Sequence, residues 1–169
     1  QLRRNIGHKE DEPVPPGIDY DIWTGPLPQL PFNRNRFHST VNWHWHYGVG
    51  DIGNDGVHQL DMARRALGVT LPDRITGMGR KMYFDDDQQT PDTMNLTYEF
   101  GDKLITFEQR LWNPYGLEGT DNGVAVYGDR GVAQIGQGHA SQTDIDGLAV
   151  HVQAARGNAT AAGLLQQGI

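Results

Sequence analysis

The sequence predicts an α+β domain: a mostly antiparallel, open β-sheet with helices packed on one face. Three observations lead there. Two runs of β-forming residues, Thr93–Phe100 and Lys103–Arg110, flank the two-residue turn Gly101-Asp102, a hairpin signal. Helical periodicity is confined to two segments, residues 56–67 and 144–156. Between residues 74 and 135 the strand patterns follow one another without intervening helices, which fits an antiparallel sheet better than a doubly wound parallel one.

Six of the nine prolines (Pro13, Pro15, Pro16, Pro26, Pro28 and Pro31) lie in residues 1–36. Proline fixes its own φ and pushes the preceding residue into extended conformations, so this first unit is expected to be an extended strap lying along a surface. Its apolar anchors are Ile18, Tyr20, Ile22, Trp23 and Leu27. Residues 37–169 form the second unit. Within 41–47, Val41, Trp43, Trp45 and Tyr47 share one face and His44 and His46 the other, the period of a half-buried strand. The helix at 56–67 has Val57, Leu60, Arg64 and Leu67 in one stripe, filled in by Met62, Ala63 and Ala66, and Gly68 ends it. Pro72 leads into a strand expected over residues 74–84.

For the first hairpin, pairing Phe100 with Lys103 sets Tyr98 opposite Ile105 and Leu96 opposite Phe107. The other face then pairs Thr97 with Thr106 and Asn95 with Glu108. A slip of one residue scrambles both faces, so this register is the expected one. A second hairpin joins 124–127 to 132–135 around Gly128-Asp-Arg-Gly131, and a helix over 144–156 follows, with Leu148, Val152 and Ala155 on one side.

At 169 residues the chain fits one domain with a real core. The net charge of -7 argues against a nucleic-acid partner, because phosphate binding needs basic surface. No apolar run has the length of a membrane span or signal peptide. The absence of cysteine excludes disulfides, thiolate zinc sites and cysteine nucleophiles. The chain starts at Gln1 and its Ala/Gly/Gln-rich end has no helix cap, so it is expected to be a piece of a longer protein.

Chemistry concentrates in Tyr47-Gly-Val-Gly-Asp-Ile-Gly-Asn-Asp-Gly-Val-His-Gln-Leu-Asp61. His58 stands near a helix start, with Asn54 four residues before it and Asp61 three after, positions that share a helix face. Histidine is the side chain most readily tuned to move a proton near neutral pH. Asp61 either orients the His58 ring or is a surface carboxylate beside Arg64 and Arg65. Gly48-Val-Gly-Asp-Ile-Gly53 matches the dinucleotide-binding GxGxxG pattern, but the Trp/His strand before it and the lack of a second βαβ unit argue against that reading. The glycines are expected instead to let backbone approach a ligand or a neighbouring domain. His44 and His46 have a chelating spacing but no third ligand at a local offset, so they read as solvent-facing and no metal is expected. Asp85-Asp-Asp87 reads as a solvated loop. Trp43, Trp45 and Tyr47 are either core or a stacking wall for a sugar ring.

Several phrases, in order, carry a family resemblance: Asp19-Tyr-Asp-Ile-Trp-Thr-Gly-Pro-Leu-Pro28, Pro31-Phe-Asn-Arg-Asn-Arg-Phe-His38, Trp43-His-Trp-His-Tyr-Gly48, the loop from Gly50 to Arg64, and Tyr127-Gly-Asp-Arg-Gly131. The stretch from Asp19 to Gly136 resembles the C-terminal domain of the bacterial-type branch of the Gfo/Idh/MocA oxidoreductases. That resemblance implies a glyceraldehyde-3-phosphate dehydrogenase-like C-terminal domain for substrate binding and oligomerisation. It also implies an upstream Rossmann domain that binds NAD or NADP and supplies a lysine. The implied substrate is a sugar or cyclitol, oxidised or reduced at a hydroxyl or carbonyl carbon, and copies associate through the sheet face into a homo-oligomer. The family pattern Asp-x-Gly-x-His places its histidine at His58, which takes the hydroxyl proton while hydride leaves the same carbon. Its aspartate position holds Asn54 here, suited to a hydrogen bond with a substrate hydroxyl but not to stabilising an imidazolium by charge. Trp45 and Tyr47 join Asn54 and His58 as implied substrate contacts, with Asp61 behind them. NAD-assisted glycoside cleavage and a non-enzymatic assembly module are the alternatives on the same scaffold.

Overall fold

The structure, a computed structural model, describes residues 3–113, 122–129, 131–136 and 139–145. The strap opens the fold, and the acidic run clamps it down. The Arg3 guanidinium lies over the rings of Trp43 and Phe84, 4.5 and 4.0 Å from their centroids. It donates to Asp86 at 2.8 Å, with both side chains almost fully buried. Asp86 also accepts from the amides of Ile6 and Gln88, each at 3.1 Å, and pairs with the Lys81 ammonium at 3.2 Å. Burial works to raise the Asp86 pKa, but the Arg3, Ile6 and Lys81 contacts outweigh it and hold the carboxyl below its ordinary value. Asp87 accepts from the Lys9 amide at 2.8 Å and the Asn35 side chain at 2.9 Å, and its other oxygen is 2.8 Å from His8 Nδ1. The expected solvated loop is therefore a clamp, and only Asp85 of the three aspartates stays exposed.

The strap is not extended throughout. Helix α1 (Tyr20–Thr24) forms one turn, capped by Asp19, whose side chain accepts from the Ile22 amide at 3.0 Å. Tyr20 and Trp23 anchor it by stacking on each other and meeting Phe32, Phe37 and Tyr47 edge-on or tilted. Of the other proposed anchors, Ile22 and Leu27 face solvent and Ile18 is half-buried.

The strand expected over 41–47 does not form. A 3-10 helix (His38–Trp43) and tight turns replace it, started by the Thr40 hydroxyl donating to the Phe37 carbonyl at 2.9 Å. The amides of His44, Tyr47 and Gly48 then bond backward to Val41 and His44 carbonyls. The carbonyl of Trp43 receives the amides of Gln89 and Thr90, at 2.8 and 3.1 Å, so no ladder is needed to satisfy it. Alternating Trp and His reflects three separate fates for the aromatics: Trp43 under Arg3, Trp45 exposed, Tyr47 in the strap cluster.

A π-helical turn (Ile52–Gly56) leads into α2 (Val57–Leu67), and Gly68, at φ 64°, ends it in the left-handed region. The buried face is Gln59, Ala63, Ala66 and Leu67, while Val57, assigned to the stripe, is exposed. The wider turn before the helix rotates its start relative to a continuous α-helix.

Among the described residues six antiparallel strands follow: β1 (Arg74–Arg80), β2 (Thr93–Phe100), β3 (Lys103–Arg110), β4 (Gly123–Gly128), β5 (Gly131–Gly136) and β6 (His139–Ile145). They form two three-stranded sheets, β1-β2-β3 and β4-β5-β6. The β2–β3 register is the expected one throughout, including Tyr98 with Ile105 and Thr97 with Thr106. The second hairpin also pairs as expected, Val124 with Ile135 and Tyr127 with Val132. β1 stops at Arg80 instead of continuing to residue 84, because the Asp92 carboxylate captures the amides of Met82, Tyr83 and Phe84, each at 2.9 Å. Asp144 and Ile145, placed at the start of a helix by sequence, end β6, and the rest of that segment lies outside the described residues.

The core forms where α2 meets both sheets. Ala63, Ala66 and Leu67 pack with Ile105 of β3 and Val124 and Val126 of β4. The alanines let the helix axis approach the strands closely, and burial of each large aliphatic contributes about 1.5–3 kcal/mol. Among the described residues no helix is long and apolar enough to cross a membrane.

Candidate functional site

The glycine-dense loop brings chain against chain. A Cβ on Gly48 would lie 2.6 Å from the Asn42 backbone, and Gly50, at φ 72°, abuts the Thr90 side chain. These approaches fix the path from the aromatic turn into the helix. At both positions the space beside the backbone is filled by this chain's own Asn42 and Thr90, where a pyrophosphate cradle would need open amides. At Gly48 and Gly50 the close backbone approach expected of these glycines is made to this chain's own Asn42 and Thr90.

Beyond the loop, the helix start presents Asn54 and His58 to solvent. Asn54 lies in the π-helical turn and His58 in the first turn of α2. Among the described residues His58 has no hydrogen-bond or ion-pair partner, so its imidazole is open to an incoming group. Asp61 is occupied elsewhere: it accepts from Arg64 at 3.0 Å and pairs with Arg65 at 2.8 Å. The Arg64 bond, with the charges of both arginines, holds its carboxyl below the usual value. Trp45 is exposed, and its amide donates to the Gln89 side chain at 3.0 Å. Tyr47 turns away from Asn54 into the strap, its hydroxyl 3.4 Å from the Tyr20 hydroxyl and accepting from the Leu30 amide at 3.4 Å.

Asn54 opens onto a cleft of about 410 Å³ between the strap and the helix start, and His58 is not among the residues lining it. Arg3, Arg4 and Asn5 form its strap wall; Thr40, Asn42 and Asp51 face them with Asn54. Sequence reasoning missed Asp51, although it lies three residues before Asn54, one turn away. It is only 6% exposed. Burial pushes its carboxyl up to about 6 against the opposing positive charge of the chain's N-terminus, and the Asp55 charge adds a smaller upward push.

The two strand-face histidines differ. His44 is buried, with burial lowering its pKa against the opposing contact with the Asn35 backbone, and its Nε2 has no partner. This corrects the solvent-facing reading of His44. His46 Nε2 meets the Pro28 carbonyl at 2.5 Å, tying the turn to the strap. Among the described residues no three His, Asp or Glu side chains gather in a way that holds a metal ion.

A family model described as "Oxidoreductase family, C-terminal alpha/beta domain", that of Gfo/Idh/MocA, matches residues 5–122. The match takes in the strap, the glycine-dense loop, α2 and the first sheet. No curated protein and no solved structure matches the chain.

Proposed function

The chain belongs to the Gfo/Idh/MocA oxidoreductase family through its C-terminal alpha/beta domain, and from that premise we propose that it is the substrate-binding and catalytic half of an NAD(P)-dependent enzyme acting on a hydroxyl or carbonyl carbon of a sugar or cyclitol. The observation that carries the reading is the helix start, where Asn54 and an unpartnered His58 stand exposed inside the family match. In the oxidising direction His58 accepts the proton of the reacting hydroxyl, and Asn54 hydrogen-bonds a neighbouring hydroxyl to fix the reacting carbon. NAD(P), held by a Rossmann domain upstream of these residues, supplies the hydride acceptor. Asn54 lends no charge to the imidazolium, so proton transfer relies on the solvent exposure of His58 to stabilise its charged form.

Association of copies through the sheet belongs to the same proposal. Every residue of edge strand β1 is exposed, including Ile75 and Met78, which supports a surface that a second copy covers. Sedimentation of the full-length protein tests it: a monomer at working concentration contradicts the association.

The activity test follows reduced nicotinamide on mixing full-length protein with NAD or NADP and a panel of aldoses, glycosides and cyclitols. Accumulating reduced cofactor supports net oxidation. Glycoside cleavage without net reduced cofactor assigns the redox-assisted route instead. Neither outcome, with folded protein across the panel, contradicts the substrate class.

A further inference from the structure

We propose that Phe107 of β3 is a positioning residue: its ring is the seat on which the π-helical turn rests through Gly56, and that seat fixes where Asn54 and His58 point. The role rests on the site proposed above and acts through its two residues without touching substrate. Gly56 is a glycine for its surroundings, not for its backbone. Its φ of -59° and ψ of -25° are right-handed helical values that any residue adopts. Alanine in a helix is favoured over glycine, so propensity does not ask for glycine at this position either. The space does. A Cβ on Gly56 would lie 2.8 and 3.0 Å from Cζ and Cε2 of Phe107, and 3.4 Å from the Ile52 side chain. The buried Gly56 backbone therefore lies directly against the end of the ring.

Phe107 is anchored from the other side. It pairs with Leu96 in the β2–β3 ladder, so its backbone belongs to the sheet and not to the loop. The contact thus ties the start of α2 to the most regular part of the fold. The second glycine of the turn leaves no slack either, since a Cβ on Gly53 would lie 2.8 Å from the Val49 Cβ. Buried positions show what the seat holds in phase. They step by five from Asp51 to Gly56, then by three to Gln59 and by four to Ala63. The step of five is the width of the π turn, one residue more than an α-helix uses. Asn54 stands exposed within that wider step, two residues before Gly56, and His58 stands exposed two residues after it. A displacement of Gly56 relative to the ring is carried to both side chains.

The test uses full-length protein with ¹³C-labelled histidine rings and ¹⁵N-labelled asparagine side chains. His58→Gln and Asn54→Ala serve only to identify the two resonances. Gly56→Ala is expected to shift both. With NAD or NADP and with myo-inositol or methyl β-glucopyranoside as probes, it is expected to lower kcat by about tenfold to a hundredfold, the scale of a misplaced reacting group. Phe107→Leu removes the end of the ring and makes room for the added methyl. The double variant is therefore expected to bring both resonances back and to restore kcat to within about threefold of the parent, a non-additivity that contact between the two sites requires. Should Gly56→Ala fold poorly, Phe107→Leu alone serves, since it withdraws the seat and should shift both resonances by itself. Parental resonances in a folded Gly56→Ala variant overturn the proposal. So does a double variant that regains the parental urea midpoint but neither the resonances nor kcat. If neither probe reduces nicotinamide in the parent, the substrate reading fails while the resonances still decide the role of Phe107.

Discussion

Arg3 is the most consequential single contact between the strap and the body of the domain, and its removal has a calculable cost. Its side chain and that of Asp86 are 3% and 0% exposed, 2.8 Å apart. Removing one member of a buried pair typically costs about 3–5 kcal/mol, because the other charge stays behind unpaired. Asp86 keeps Lys81 and two backbone amides, which places Arg3→Ala toward the low end of that range. Loss of the guanidinium from between Trp43 and Phe84 removes a further contribution of about 1–2 kcal/mol, partly overlapping the first. A net loss of about 4 kcal/mol, with a urea slope of about 2 kcal/mol/M, lowers the unfolding midpoint by about 2 M. Urea titration followed by circular dichroism measures this. Asp86→Asn should cost a similar amount, since Arg3 already has Nε and Nη2 buried without partners. The double variant should lose less than the sum by at least about 1.5 kcal/mol. An Arg3→Ala midpoint within about 0.3 M of the parent, or strictly additive losses, refutes the clamp.

Three further outcomes follow. His44 is buried with its pKa lowered, so the unfolded chain binds the proton first: its contribution is neutral above about pH 6.5, and stability falls as pH drops below that value until the folded group titrates. Urea midpoints at about pH 7.5 and pH 5.5 should show this fall in the parent and a smaller one in His44→Gln. Asp92→Ala strips three amides of their acceptor in a position that is 0% exposed, so it should cost about 3 kcal/mol or more by thermal or urea unfolding. In the parent that contribution is present above the unfolded Asp value and lost as pH falls through the lowered folded value. Asp61→Ala, which frees Arg64 and Arg65 but leaves the His58 ring as it was, should leave kcat within about twofold, and a drop of a hundredfold would reassign Asp61 to orienting His58.

How much was legible in the sequence depended on whether a residue's role was local. The β2–β3 hairpin could be read to the residue because the Gly101-Asp102 turn sets the register and both faces agree with it. Gly68 marked the end of α2 for the same local reason. The clamp could not be read, because Asp86 meets Arg3 across 83 positions and a run of aspartates looks the same whether solvated or buried. Alternation across 41–47 misled because period two shows which side chains diverge, not whether a neighbouring strand exists to pair with. At the site, His58 and Asn54 stood out through their spacing. Asp51 did not, since nothing local shows that a carboxyl will be buried. It is the close packing of Gly48 and Gly50 that carries this stretch of chain down against Asn42 and Thr90.

The central claim is that His58 takes or gives the proton of the reacting hydroxyl. Single-turnover reduction of NAD(P) by full-length protein, comparing the parent with His58→Ala on the best sugar or cyclitol substrate, tests it most directly. The expected rate is lower by about a hundredfold to ten-thousandfold with an unchanged unfolding midpoint. A folded His58→Ala variant that transfers hydride at the parental rate contradicts it.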